Sequence, residues 1–389
     1  MNPIKQLLGG LSPAQFITEY WQKKPLLIRN AWPEFQDPFT PEEIAGLACE
    51  SEVEARLIQE IQGKWQVRHS PFQEEDFLTL PDTHWTLLVQ DAEKHAPDLA
   101  TLLEPFRFIP DWRIDDLMIS YAPQYGSVGP HVDDYDVFLL QGQGQRRWQI
   151  NTQPATTENL LPDSEMRILR DFHAEQEWVL KGGDMLYLPP RIAHYGVALE
   201  PCLTYSIGFR APSHAGLVSS FADYVLEHLD SKARYTDPDL TTQDNPGEIA
   251  SASVAKCKAL LNRHLNSTDD NINDWFGRYM TEPKPLFGAS PASPPVSDIE
   301  LRTYLAQGGA LERNPGSRFA YVKQGNQTKL FIDGQAFTLG ALLGFMAPLL
   351  CRYRVLTQAV LFPVIQQSAA FDLLLEWVNE GYWVIYEDE

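Results

Sequence analysis

Cysteine is scarce: the 389 residues include four, Cys49, Cys202, Cys257 and Cys351, and no two stand at CxxC spacing. That excludes a zinc ribbon, a thioredoxin-type redox pair and a disulfide scaffold, so no disulfides are expected. Positive charge is short as well, with 31 Lys and Arg against 52 Asp and Glu and a formal net charge of −21. Binding to a phosphate backbone draws on clustered cations, so no direct DNA binding is expected and a basic partner suits the chain better. Long apolar runs are missing too, none approaching the roughly 18 uncharged residues of a membrane helix. Met1 to Leu11 has neither the basic start nor the apolar core of a secretory signal, which points to a cytoplasmic chain with no membrane partner. What remains is ordinary globular usage, 44% apolar and 21% charged, in a length suited to two or three domains.

Ser12 followed by Pro13 reads as a helix start, with Phe16, Tyr20 and Trp21 at helical spacing over residues 12–24. Leu26 to Ile28 is a short apolar run, and Pro41 to Ala55 reads as a second helix with Ile44, Leu47 and Ala48 inward. From Ile114 the pattern becomes a series of short strands: Leu117–Tyr121, Val137–Leu140, Arg147–Ile150, Glu177–Leu180, Met185–Leu188 and Leu203–Phe209. Gly and Pro between them suggest a sandwich or barrel, of which the double-stranded β-helix, a cupin-like jelly roll, is one form. After Pro212 the period is helical, with Leu217, Phe221, Tyr224, Val225, His228 and Leu229 on one stripe, then helices over Val254–Leu265 and Ile272–Met280. That stripe packs either on the chain's own barrel or on a second copy. Five prolines between Pro283 and Pro295 mark a linker. A last unit starts near Ser297, with a hairpin of Phe319–Lys323 and Lys329–Asp333 around Gly325 and Asn326, two helices, and a strand Tyr382–Tyr386. The order resembles a small winged helix. Seven Lys and Arg against ten Asp and Glu over residues 296–389 argue for a structural or protein-binding role there. The expected fold class is α+β, and the segments are 1–212, 213–282, 283–296 and 297–389.

The sharpest local signal is Gly129-Pro130-His131-Val132-Asp133. On a strand, His131 and Asp133 share a face. His194, after Pro189-Pro190, supplies a second histidine, and two His with one carboxylate make the facial triad of non-haem iron oxygenases. Three protein ligands leave room for a bidentate 2-oxo acid and for O2. About sixty residues separate Asp133 from His194, enough to travel around a jelly roll and return to its mouth. His69, His84, His95, His173, His214, His228 and His264 have no such context. A 2-oxo diacid also needs a cation for its far carboxylate, and Arg146 is the residue expected to provide it, with Trp148 on the same face and Arg147 outward. Alternation along Asp116–Ser120 puts Asp116, Met118 and Ser120 together, so Ser120 is expected to share that carboxylate, with Thr204 and Ser206 as further polar contacts.

Beyond these spacings, the chain resembles the Jumonji-C 2-oxoglutarate oxygenases, in particular their bacterial ribosomal oxygenase branch. The resemblance is carried by Asp111-Trp112-Arg113-Ile114-Asp115-Asp116-Leu117-Met118-Ile119-Ser120, His131-Val132-Asp133-Asp134-Tyr135-Asp136-Val137-Phe138, Arg146-Arg147-Trp148 and Gly208-Phe209-Arg210-Ala211-Pro212, and runs essentially end to end. It implies a catalytic double-stranded β-helix in 1–212, a helical dimerisation domain in 213–282 and a winged-helix unit in 297–389, hence a homodimer. It implies iron(II), Fe(2+), as cofactor, 2-oxoglutarate and O2 as co-substrates, and hydroxylation of an arginine β-carbon in large-subunit ribosomal protein sixteen. Asp116 is then the expected acidic contact to the guanidinium, with Met118 on the same face and Tyr135 as an aromatic contact, while Asp115, Asp134 and Asp136 face elsewhere. Residues 151–176 are too long for a hairpin turn and are expected to form a lid or outer subdomain. The competing readings are a histidine hydroxylase of another ribosomal protein, and a catalytically silent cupin-like, ribosome-associated binding protein.

Overall fold

Helices open where the sequence can cap them. In the computed structural model, which describes residues 3–153, 159–161, 166–266 and 268–385, Ser12 caps a helix that begins at Pro13, and Thr40 caps one that begins at Pro41, each in a capping box closed by the residue at N3, Gln15 or Glu43. The chain divides into two units, Met1–Ala211 and Pro212–Glu389.

The first unit holds helices α1 (Pro3–Leu7), α2 (Pro13–Glu19), α3 (Pro41–Cys49), α4 (Glu74–Leu78) and α5 (Ala92–His95). Its strands are β1 (Leu26–Ile28), β2 (Ala55–Ile61), β3 (Lys64–His69), β4 (Trp85–Val89), β5 (Ile114–Ala122), β6 (Val137–Gln141), β7 (Gln145–Asn151), β8 (Gln176–Lys181), β9 (Met185–Leu188), β10 (Ala193–Ala198) and β11 (Cys202–Phe209). An eight-stranded sheet in the order β1-β9-β6-β11-β5-β4-β2-β3 faces a three-stranded sheet β10-β7-β8, and every pairing is antiparallel. This is a jelly roll extended at one edge. Alternation sorts β6 to two cores: Phe138 and Leu140 join the large core that also takes in Phe16, Ile44 and Leu103, while Val137 and Leu139 join Trp148, Ile150 and Leu186 between the sheets. Covered on both faces, β6 and β11 are buried along their whole length.

One expectation is corrected here, and one strand is added. The helix read over Pro41 to Ala55 stops at Cys49 and Ala55 opens β2, because Val53, Ala55 and Leu57 alternate at a period of two and are buried as a strand requires. Strand β10, which carries His194, has little strand signal in the sequence, because two alanines and a glycine give it low intrinsic strand preference. It forms because β7 pairs with it, and Gly196 lies opposite Trp148, where a Cβ would come within 2.6 Å of the indole.

In the second unit α6 (His214–Glu227), α7 (Ser251–Leu265) and α8 (Asp269–Thr281) precede α9 (Asp298–Ala306), α10 (Met346–Arg352), α11 (Gln358–Ile365) and α12 (Ser368–Asn379). Strands β12 (Leu311–Arg313), β16 (Val355–Leu356) and β17 (Trp383–Ile385) form one sheet, and β13 (Phe319–Gln324), β14 (Gln327–Ile332) and β15 (Gln335–Leu339) another. The hairpin turns at Gly325, whose φ of +56° a glycine accepts. Three helices follow the hairpin where two were expected, because Tyr353 and Thr357 break the apolar stretch and Thr357 caps a separate α11. The expected last strand begins at Trp383, and Tyr386 lies outside the described residues. The helical stripe after Pro212 packs on α8: Phe221 meets Trp275 edge-on at 5.0 Å and Trp275 donates to Ser220.

Candidate active site

His131 sits on an isolated bridge, its amide donating to the His194 carbonyl and the His194 amide donating back, both at 2.9 Å. The two rings therefore lie together, centroids 4.1 Å apart. Asp133 is on a loop and not on the strand that spacing suggested, so alternation is not what aims it. Its carbonyl accepts the Arg191 amide at 2.7 Å, which ties the loop to the turn before β10. The result is a carboxylate Oδ2 at 3.5 Å from His194 Nε2 and 3.9 Å from His131 Nε2, with the three donor atoms within 4.8 Å of one another. Each Nδ1 meets a carbonyl at 2.9 Å, Gly129 for His131 and Ile192 for His194. A carbonyl only accepts, so Nδ1 carries the proton and both Nε2 lone pairs face the gap. Burial, with His131 adding to it, brings the His194 pKa down to about 4, which keeps that ring neutral and able to ligate. The donor set fits a divalent transition metal of intermediate softness.

Arg146 is 3% exposed, and its Nε and Nη2 have no hydrogen-bond partner among the described residues. Buried guanidinium N–H groups without an acceptor are costly, and these open onto the same cavity as the triad, so a ligand carboxylate is the group that fits them. Strand register fixes what stands around it: Thr204 lies opposite Ser120, and Ser206 opposite Met118, on β11 and β5. Ser120 Oγ is 3.5 Å from the Thr204 carbonyl, and Thr204 donates to Gln141 at 3.3 Å.

A cavity of about 260 Å³ is lined by all ten residues singled out in the sequence: His131, Asp133, His194, Arg146, Ser120, Thr204, Ser206, Asp116, Met118 and Tyr135. Tyr135 stands 41% exposed at the rim, its hydroxyl pushed above the ordinary range by shielding from water and by the charges of Asp133 and Asp116. Asp134 pairs outside with Arg167 and Arg191. Asp136 is fully buried, accepting from Tyr187 at 2.6 Å and Gln22 at 2.9 Å. The same cavity takes in residues that spacing alone did not reveal: Arg56, Gln90, Met166 and Arg167. Arg56 was legible only through register, since Arg56, Leu88, Ser120, Thr204 and Gln141 form one row across five strands. Met166 and Arg167 bring part of the 151–176 segment to the mouth; residues 154–158 and 162–165 of that segment lie outside the described residues.

Residues 101–217 match the JmjC domain family, and this jelly roll with two histidines and a carboxylate at its mouth defines a JmjC-type oxygenase. Over 374 residues the chain is 35% identical to ribosomal protein uL16 3-hydroxylase of Escherichia coli strain K12, covering 95% of this chain and 96% of that one. It belongs to the ribosomal oxygenase family. Residues 261–384 match the ROXA-like winged helix family. A probable ribosomal oxygenase of Haemophilus influenzae is 40% identical over 258 residues, covering 64% of this chain and 63% of that one. The structure of the Escherichia coli ribosomal oxygenase YcfD is similar with a TM-score of 0.83 at 34% identity, covering 97% of this chain and 98% of the other. A structure of YcfD in complex with cobalt and 2-oxoglutarate is similar at the same TM-score, 0.83, covering 97% and 99%. Among the described residues no helix is long and apolar enough to cross a membrane.

Proposed function

We propose that this chain is an iron(II) and 2-oxoglutarate-dependent hydroxylase of the β-carbon of an arginine in ribosomal protein uL16, acting in the cytoplasm as a homodimer. The observation that carries this reading is one cavity that joins a two-histidine, one-carboxylate cluster to a buried arginine whose Nε and Nη2 have no acceptor among the described residues. His131, Asp133 and His194 would hold the metal through Nε2, a carboxylate oxygen and Nε2. Arg146 would take the far carboxylate of 2-oxoglutarate, helped by Ser120 and Thr204, with Ser206 beside them. With both groups bound, oxidative decarboxylation of 2-oxoglutarate to succinate is coupled to insertion of one atom of O2 into a carbon–hydrogen bond. The chain's part is to aim and shield. Asp116 would hold the substrate guanidinium, Met118 and Tyr135 would flank its methylenes, and the apolar walls Val137, Leu139 and Trp148 keep water from the reacting carbon. The net charge of −21 suits a basic ribosomal protein.

For the rest of the chain the proposed division is a catalytic part in 1–212, a dimerising helical part in 213–282, a linker in 283–296 and a winged-helix part in 297–389. Exposed apolar residues on α6 and α7, Val218, Leu226, Val254 and Leu261, support a second copy as what covers those helices. The test is to incubate the iron-loaded protein with 2-oxoglutarate and recombinant uL16 and to map the mass. One arginine should gain the mass of one oxygen atom with stoichiometric succinate. An oxygen placed on histidine would replace the arginine assignment, and no succinate from folded, iron-loaded protein would overturn the enzyme reading.

A further inference from the structure

Strand β5 carries Asp116 and Met118 into the cavity, and one of its edges is only partly paired. Along the side facing β4, register pairs Leu87 with Tyr121, Leu88 with Ser120 and Val89 with Ile119, and there β4 ends. The chain turns away at Asp91, whose φ is +50°, and enters α5. The next amide along that edge is Leu117, since alternate residues of a strand point their N–H groups to the same side. It is not left open: the Glu93 carboxylate accepts it at 2.9 Å. Glu93 is 5% exposed, and Lys94, itself buried, pairs with Asp91 and lies 3.8 Å from the Glu93 carboxylate. A buried carboxylate with a cation beside it has thus taken over the place of a strand. The peptide it holds is the one joining Asp116 to Leu117. The Leu117 side chain points into the core, and the residues on either side point into the cavity.

We propose that Glu93 is a positioning residue for substrate: by fixing the Asp116–Leu117 peptide where β4 has ended, it sets the angle at which the Asp116 carboxylate meets a cationic side chain. This rests on the reading of Asp116 as the substrate contact. The Asp116–Leu117 peptide carries none of the residues assigned to 2-oxoglutarate or to the metal, so the effect should fall on substrate. In the full-length, iron-loaded protein, Glu93→Ala should raise KM for recombinant uL16 about tenfold, the scale of one charge-assisted hydrogen bond, with KM for 2-oxoglutarate unchanged. Glu93→Gln, which keeps an accepting oxygen, should restore most of the loss. Glu93→Asp, one methylene short, should resemble Ala, and it replaces Ala as the variant measured if the alanine protein does not fold. Residue-resolved hydrogen exchange should show the Leu117 amide losing protection in Ala or Asp while Ile119 keeps its own. The double variant Glu93→Ala with Asp116→Ala should be no worse than Asp116→Ala alone, because Glu93 acts through Asp116. If Asp116→Ala raises KM for uL16 and Glu93→Ala and Glu93→Asp do not, the role of Glu93 is overturned and the reading of Asp116 stands. If Asp116→Ala leaves KM unchanged, the reading of Asp116 fails and takes the proposal with it. A parallel rise in both Michaelis constants, unrelieved by Gln, would mean general loosening and would overturn the positioning role.

Discussion

Arg146 has much to gain from a ligand, because its guanidinium is buried at 3% exposure and the described residues offer Nε and Nη2 no acceptor. Replacing it with methionine keeps the packing on Trp148 and removes the charge. KM for 2-oxoglutarate should rise by about tenfold to a hundredfold, the range for a buried charge-assisted pair, while iron binding stays as it was. Initial rates of succinate release against 2-oxoglutarate concentration check this. Asp133 behaves differently, since among the described residues it supplies the one carboxylate of the cluster with His131 and His194. Asp133→Ala should lose both activity and high-affinity iron binding, read by equilibrium dialysis, with the fold intact by circular dichroism; wild-type iron affinity in this variant would remove Asp133 from the metal site.

At the scale of the element, β10 depends on a close fit and α8 on charge contacts. A methyl group at Gly196 has no room beside Trp148, so Gly196→Ala should cost about 1–3 kcal/mol by overpacking and shift His194 with it. Thermal unfolding would record the cost, and weakened iron binding would record the shift. In α8, Asp274 accepts from Arg278 at 2.9 Å and from Lys329 of β14 at 3.1 Å. Burial pushes its pKa up, yet the two cations more than offset this and hold it below the usual carboxylate value. A carboxylate with a depressed folded pKa contributes stability that is whole above its unfolded value, near 4, and is lost as pH falls through the folded one. Asp274→Asn should therefore destabilise the protein by about 1–3 kcal/mol at neutral pH, and the gap to wild type should close progressively below about pH 4. Denaturant titrations at neutral and acid pH measure that difference.

For the whole molecule one open apolar surface is on α6 and α7, where Val218 is 70% exposed and Val254 57%. The stripe, read as packing on the barrel or on a second copy, turns Phe221 to Trp275 of α8, so the exposed residues beside it are the ones left for a second copy. Sedimentation equilibrium should find a dimer for the wild type and a monomer for the pair Leu226→Asp and Val254→Asp, with the metal site untouched. A wild-type monomer would end the dimer reading.

By itself the sequence determined the strands β5, β6, β7 and β11 with the alternation of β5 and β7, the cap at Ser12, the hairpin at Gly325, and the residue types of the triad with Arg146. All of these follow from local rules: strand period, capping chemistry, turn conformation and donor type. Tertiary structure alone decided that β10 is a strand, since its alanines and glycine become one only when β7 pairs with them. It aimed Asp133 through the Arg191 amide and not through alternation, brought Arg56 to the mouth by register across five strands, and set Glu93 against Leu117. Hydrogen bonds and neighbours far apart in the chain make those arrangements, and no local pattern encodes which distant partner a backbone amide will find.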